Sequence, residues 1–201
     1  MKPVESEPFE LLINRYIDSK VGMVDSFLTP ELTASLRENV VRLFDQNELH
    51  PAGVGNGAKL YRDPTNRGDQ IFWLDRKHKS PAENAFLDIV DSFVKFLNST
   101  CYAGITGYEF HYALYDTGTF YRRHIDQFRT DKGREFTIIV YLNENWKDEN
   151  GGELCIYTDD GEMRINPKGG RCVFFKSSEL EHEVLLSRAP RMSLTGWLKK
   201  G

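Results

Sequence analysis

The second half of the chain breaks into short runs that alternate apolar and polar residues, and this pattern limits the fold more than any other. The runs fall at 108–115, 120–125, 136–142, 153–158, 162–165, 171–175, 182–186 and 191–198. A period of two marks strands that bury one face. Asn150-Gly-Gly and Asp159-Asp-Gly supply the turn chemistry between neighbours. Eight strands in one unit fit a double-sheet jelly roll.

The first half reads differently. Phe9, Leu12, Ile13, Tyr16 and Ile17 recur at helical spacing, as do Leu32, Leu36, Val40, Leu43 and Phe44 after Thr29-Pro30. Phe86, Ile89, Val90, Phe93, Val94 and Leu97 form a third stripe, with Asp88, Asp91 and Lys95 opposite. Such stripes are packing surfaces that brace a sheet. Between the first two helices, 21–28 reads as a short strand. The expected class is therefore α+β: a double-stranded β-helix (jelly roll) core at 105–199, braced by helical support in 1–100, as one domain over 1–201.

Composition removes several classes of function. No apolar run approaches a membrane span, and the N-terminal residues lack a signal-peptide core. A net charge of −4 with mixed signs gives no reason to expect a nucleic-acid partner. Cys101, Cys155 and Cys172 are odd in number and widely spaced, which suits a reducing cytoplasm better than a disulfide framework.

The chemistry concentrates at His124 and Asp126, two apart at the end of a strand-like run and so on one face. His182 offers a third ligand. Two histidines and a carboxylate leave coordination positions open, as in non-haem Fe(II) oxygenases; zinc is the rival, although it prefers cysteine in a closed tetrahedron. Arg191 shares a strand face with Ser193, Thr195 and Trp197. An inward arginine is costly unless it meets an anion, and a dicarboxylate co-substrate chelating the metal at its other end would be that anion. Tyr141 shares its face with Thr137 and Ile139. By default His50, His78 and His111 are structural. The stretch 52–69, with Gly53, Gly55 and Gly57, is either a lid over a substrate or an ordinary connection.

Several segments carry a family resemblance: Tyr121-Arg-Arg-His-Ile-Asp126, Arg134 to Trp146, Gly151-Gly-Glu-Leu154, His182-Glu-Val184 and Arg191-Met-Ser-Leu-Thr-Gly-Trp197. Together they resemble the Fe(II)/2-oxoglutarate-dependent prolyl 4-hydroxylases. Within that family the similarity is greatest to the hypoxia-inducible-factor type and its bacterial relatives that modify elongation factor Tu. Arg67-Gly-Asp-Gln-Ile-Phe-Trp-Leu74 is similar to the segment that closes the substrate loop there. Gln127 departs from the animal enzymes, which have asparagine after the ligand aspartate.

The resemblance implies that His124, Asp126 and His182 hold iron and that Arg191 pairs with the distal carboxylate of 2-oxoglutarate. Tyr115, Tyr141 and Thr137 would assist with their hydroxyls, and Trp197 would line the pocket beside them. Arg67, Gly68, Asp69, Trp73 and Arg122 would serve the substrate, with Asp69 tethered by a cation such as Arg134 when the loop is closed. Of the neighbours Arg122 and Arg123, strand parity makes Arg122, which shares the face of His124, the inward one. The implied reaction consumes O2 and 2-oxoglutarate, with ascorbate supportive. It hydroxylates a prolyl residue of a protein, elongation factor Tu being a candidate, and releases succinate and CO2. An oxygenase of the same fold acting on a free amino acid or other metabolite is one alternative. A non-catalytic binding module is the other.

Overall fold

Thr29-Pro30 and Ser80-Pro81 each start a helix. The Thr29 hydroxyl accepts from the Leu32 amide at 3.2 Å and that of Ser80 from the Glu83 amide at 3.4 Å. Proline follows each cap, at a position where its missing N–H is no loss. The computed structural model describes residues 6–53, 63, 65–127 and 133–201. Its first hundred residues hold α1 (Glu7–Ser19), β1 (Val21–Val24), α2 (Pro30–Asp45), β2 (His50–Pro51), β3 (Gln70–Trp73) and α3 (Pro81–Thr100). The eight runs expected as strands follow as β4 (Gly107–Tyr115), β5 (Tyr121–His124), β6 (Arg134–Tyr141), β7 (Leu154–Thr158), β8 (Gly161–Ile165), β9 (Cys172–Lys176), β10 (Glu181–Val184) and β11 (Arg191–Lys199).

These strands make two antiparallel sheets, one of seven strands in the order β1-β9-β6-β11-β4-β3-β2 and one of four in the order β5-β10-β7-β8. The N-terminal half does more than brace the sandwich. It supplies β1 at one edge of the large sheet and β3 and β2 at the other.

Alternation along each strand divides the apolar residues between two cores. On the outer face of the large sheet, Phe110, Val140, Phe174 and Leu194 pack against Leu12, Leu36, Phe86 and Phe93 of the helices. On the inner face, Ile139, Tyr141, Val173 and Phe175 meet Leu154, Ile156 and Ile165 of the small sheet. Cross-strand register also sets two polar positions on that inner face. Trp73, His111, Thr195 and Ile139 stand in one row, while Arg191 lies opposite Tyr115 several residues away. No helix among the described residues is long and apolar enough to cross a membrane.

Candidate active site

Between the sheets lies a cavity of about 650 Å³, and all five histidines of the chain line it. His124, the last residue of β5, pairs directly with His182 in β10. Their Nδ1 atoms hydrogen-bond the carbonyls two residues back, to Arg122 at 2.7 Å and Leu180 at 3.2 Å. Fixing Nδ1 in this way leaves each Nε2 available as a metal ligand. Asp126 lies just past the strand end, its carboxylate oxygens 3.4 Å from the His124 Nε2 and 3.5 Å from the His182 Nε2. The three potential ligand atoms lie within 4.8 Å of one another, so one ion can reach them all.

Burial opposes the charge on Asp126, but the two imidazoles and the Thr137 hydroxyl hold its carboxyl well below the usual range. Burial pushes His182 down to about 4 against the pull of Asp126. Asp126 as a carboxylate and His182 as a neutral imidazole are in the protonation states that metal binding needs. Thr137 departs from expectation. Its hydroxyl donates to the Asp126 Oδ2 at 2.8 Å and meets the Ser177 hydroxyl at 2.9 Å, so it orients the carboxylate instead of assisting a co-substrate at Arg191.

Arg191 is 1% exposed. Its Nε donates to the Gly152 carbonyl at 2.8 Å, and its guanidinium lies 4.9 Å and 5.1 Å from the ring centres of Tyr115 and Tyr141. Among the described residues no carboxylate meets it. Among the described residues, the buried Tyr141 hydroxyl beside it has no hydrogen-bond partner. A lone buried cation next to an unpaired hydroxyl fits an anionic guest that accepts from both. Gly152 makes room for this arrangement: at φ +67°, a Cβ there would fall 2.9 Å from the Ser187 Oγ and 3.1 Å from the Arg191 Cδ. Trp197 also lines the cavity, but at the other end of β11 from Arg191, in register with Thr137.

At the cavity rim Arg67 grips Asp69 through two hydrogen bonds of 2.7 and 2.6 Å. This corrects the expected Asp69–Arg134 tether; Arg134 hydrogen-bonds Glu109 and stacks 3.3 Å over Trp197. Trp73 lines the rim with 46% of its surface exposed. Gly68 packs so close to Thr119 that a Cβ would fall 2.8 Å from it. Arg122 is exposed and its guanidinium lies over Phe120, so the expected inward orientation is corrected too. Parity fails here because β5 carries a bulge: Tyr121 pairs with Val184 and His124 with His182. One extra residue brings Tyr121 and His124 to the same side, their rings stacked at 3.6 Å, and sends both intervening arginines out. The lid reading of 52–69 rests mostly on residues outside the described ones, Gly55 and Gly57 included. His50, His78 and His111, read as structural, all prove to line the cavity. A His-Tyr-Ala-Leu alternation by itself carries no signal that its polar face meets a cavity.

Two histidines, one carboxylate and open positions inside a two-sheet sandwich define a mononuclear non-haem iron oxygenase. The model of the 2OG-Fe(II) oxygenase superfamily matches residues 110–199. Prolyl hydroxylase EGLN3 of Mus musculus is 32% identical over 194 residues, covering 87% of this chain and 76% of that one. A Pseudomonas putida prolyl-4-hydroxylase crystal structure superposes with a TM-score of 0.85 at 34% identity, covering 96% of this chain and 99% of that one. A Trichoplax adhaerens prolyl hydroxylase, solved with a hypoxia-inducible-factor oxygen degradation domain peptide, gives a TM-score of 0.88 at 26% identity over 98% and 91%. The chain belongs to the 2OG-Fe(II) oxygenase superfamily, among its prolyl hydroxylases. Its double-stranded β-helix is theirs, and its cofactors are Fe(II) and 2-oxoglutarate.

Proposed function

We propose that this enzyme hydroxylates a prolyl residue of a protein substrate, with His124, Asp126 and His182 as iron ligands and Arg191 as the anchor for 2-oxoglutarate. The observation that carries the assignment is the buried Arg191, without a carboxylate partner among the described residues, in the same cavity as the triad. When bound, iron and 2-oxoglutarate supply the oxidising power, consuming O2 and releasing succinate and CO2. The chain's own part is to bind, orient and exclude water. Gly152 aims the guanidinium through its carbonyl, and Tyr115 and Tyr141 flank the guanidinium with their rings. Burial raises the phenols of both tyrosines, against the pull of Arg191, so they stay protonated and can donate. Thr137 fixes Asp126, and the backbone carbonyls fix both imidazoles.

The Arg67–Asp69 pair, Gly68 and Trp73 form the rim that a peptide crosses, and the exposed Arg122 lies outside it. A protein substrate is supported by the Trichoplax relative, which was solved with a peptide. Elongation factor Tu is the substrate to test first, on the resemblance already drawn. We place the enzyme in the cytoplasm, as a single domain; its three free cysteines suit a reducing compartment.

The test is mass spectrometry of elongation factor Tu after incubation with the protein, Fe(II), ascorbate and 2-oxoglutarate. One added oxygen on a single proline, absent with His124→Ala, is the expected result. Succinate formation stimulated by a free amino acid and by no protein would reject the prolyl assignment.

A further inference from the structure

The Gly152 carbonyl sets the direction of the Arg191 guanidinium, so whatever fixes Gly152 fixes the anchor. Gly151 and Gly152 both have left-handed backbones, at φ +63° and +67°. Glycine reaches either sign of φ at little cost, so two in a row hold one conformation only where outside contacts impose it. The peptide unit between them is gripped at both ends. Its N–H, on Gly152, donates to the Leu186 carbonyl at 3.0 Å, and its carbonyl, on Gly151, accepts from the Trp146 indole Nε1 at 3.1 Å. The next carbonyl along, that of Gly152, accepts from the Arg191 Nε at 2.8 Å. Both glycines are buried, where a carbonyl without a donor is costly, so the indole N–H removes the reason this unit would have to turn. Trp146 lines no part of the cavity that holds the triad. Its ring lines a separate cleft of about 330 Å³ between the start of α2 and the turn at Lys168–Gly170.

We propose that Trp146 is a positioning residue for the co-substrate: its indole N–H, acting through the Gly151–Gly152 peptide, holds the Arg191 guanidinium so that it grips the distal carboxylate of 2-oxoglutarate end-on. A guanidinium carries its N–H donors in a rigid fork. With Nε committed to Gly152, the two terminal nitrogens face a guest together, and that pair matches the two oxygens of a carboxylate. Releasing the Gly151 carbonyl lets its peptide turn; the Gly152 carbonyl then leaves Nε, and the fork rotates out of that match. Iron is spared, because the contacts that orient His124, His182 and Asp126 run to Arg122, Leu180 and Thr137. The proposal rests on the reading of Arg191 as the 2-oxoglutarate anchor and names what aims it.

The test measures dissociation constants by anaerobic calorimetry, first of Fe(II) and then of 2-oxoglutarate on the iron-loaded protein. It compares wild type, Trp146→Phe, Trp146→His, Arg191→Ala and the double variant Trp146→Phe/Arg191→Ala. Phenylalanine keeps a ring without a donor, so loss of one neutral hydrogen bond predicts 2-oxoglutarate binding about fivefold weaker, with Fe(II) binding within about twofold of wild type. The imidazole of histidine overlays the pyrrole half of an indole, with Nε2 where Nε1 stood. Trp146→His should therefore bring 2-oxoglutarate binding to within about twofold of wild type. It fills less space, so it should also be the less thermally stable of the two. On the Arg191→Ala background, Trp146→Phe should change 2-oxoglutarate binding by less than about twofold, since the indole acts only through the arginine. Fe(II) and 2-oxoglutarate binding weakened together, 2-oxoglutarate affinity that follows stability, or an equal effect with and without Arg191 overturns the proposal. If phenylalanine does not fold, histidine decides alone: weak 2-oxoglutarate binding beside normal Fe(II) binding overturns the proposal, and normal binding of both upholds it. If Arg191→Ala leaves 2-oxoglutarate binding unchanged, the anchor reading falls and the role of Trp146 with it. If Arg191→Ala weakens that binding and Trp146→Phe does not, only the role of Trp146 falls.

Discussion

Thr137 shows how a residue that touches no substrate can set the affinity of the site. Its hydroxyl fixes one oxygen of Asp126, and losing an orienting contact to a ligand costs about 10–100-fold in metal affinity. Thr137→Val should weaken Fe(II) binding by that factor in an anaerobic titration while leaving the fold intact; unchanged affinity would show that Ser177 and the backbone suffice. A second residue-scale prediction concerns acid. The unfolded chain protonates histidine near pH 6.5, whereas native His111 accepts a proton only near pH 3, so the unfolded state binds more protons in between. Arg67 and Arg134 oppose its protonation, and Asp69 and Asp126 favour it less strongly than burial resists. Stability from this group is therefore full above pH 6.5 and falls as pH drops. In urea melts, wild type should lose about 2 kcal/mol more than His111→Leu between about pH 7.5 and 5; parallel losses would mean that His111 protonates in the native state. The triad and Arg191 were legible in the sequence because their chemistry demands partners. His111 was not, since only the cavity makes an unpaired imidazole informative.

At the scale of elements, strand periodicity located all eight strands of β4–β11 within a few residues, because each buries one face. The bulge in β5 was invisible to the same reasoning, since parity assumes an unbroken ladder. That single residue decides that Arg122 and Arg123 face out, where Arg123 pairs with Glu181 on the neighbouring strand. Close approach of β11 and β4 likewise depends on a position that pattern alone does not single out. A Cβ on Gly196 would lie 2.3 Å from the Phe110 ring and 2.4 Å from the Glu109 carbonyl, whereas one on Gly107 would meet nothing within 4 Å. Gly196→Ala should therefore cost about 1–3 kcal/mol by denaturant unfolding, and Gly107→Ala should be neutral or slightly stabilising. Equal effects would mean that the two strands can part without strain.

Over the whole molecule, local patterns could not reveal which sheet edges the N-terminal strands would extend, because a four-residue apolar run such as β1 fits any open edge. The resulting topology has a functional consequence. His124 and His182 belong to the small sheet, whereas Arg191 and Thr137 belong to the large one, so a co-substrate held as proposed, between metal and arginine, would link the two layers. Iron alone would draw only on the triad, whose Asp126 is tied to the large sheet through Thr137. Binding to the native state alone stabilises it by about 2.7 kcal/mol at a hundredfold excess over Kd. For a chain of this size that corresponds to about 5–10 °C in Tm. Wild type should show one increment with Fe(II) under anaerobic conditions and a second when 2-oxoglutarate is added. Arg191→Ala starts from a lower Tm, because truncating a buried side chain leaves a cavity, so the increments and not the absolute values carry the comparison. The variant should keep the iron increment and lose most of the 2-oxoglutarate one, since chelation at the metal survives while the distal carboxylate finds no cation. An undiminished 2-oxoglutarate increment in Arg191→Ala would separate the arginine from the co-substrate and leave the link between the sheets to another residue.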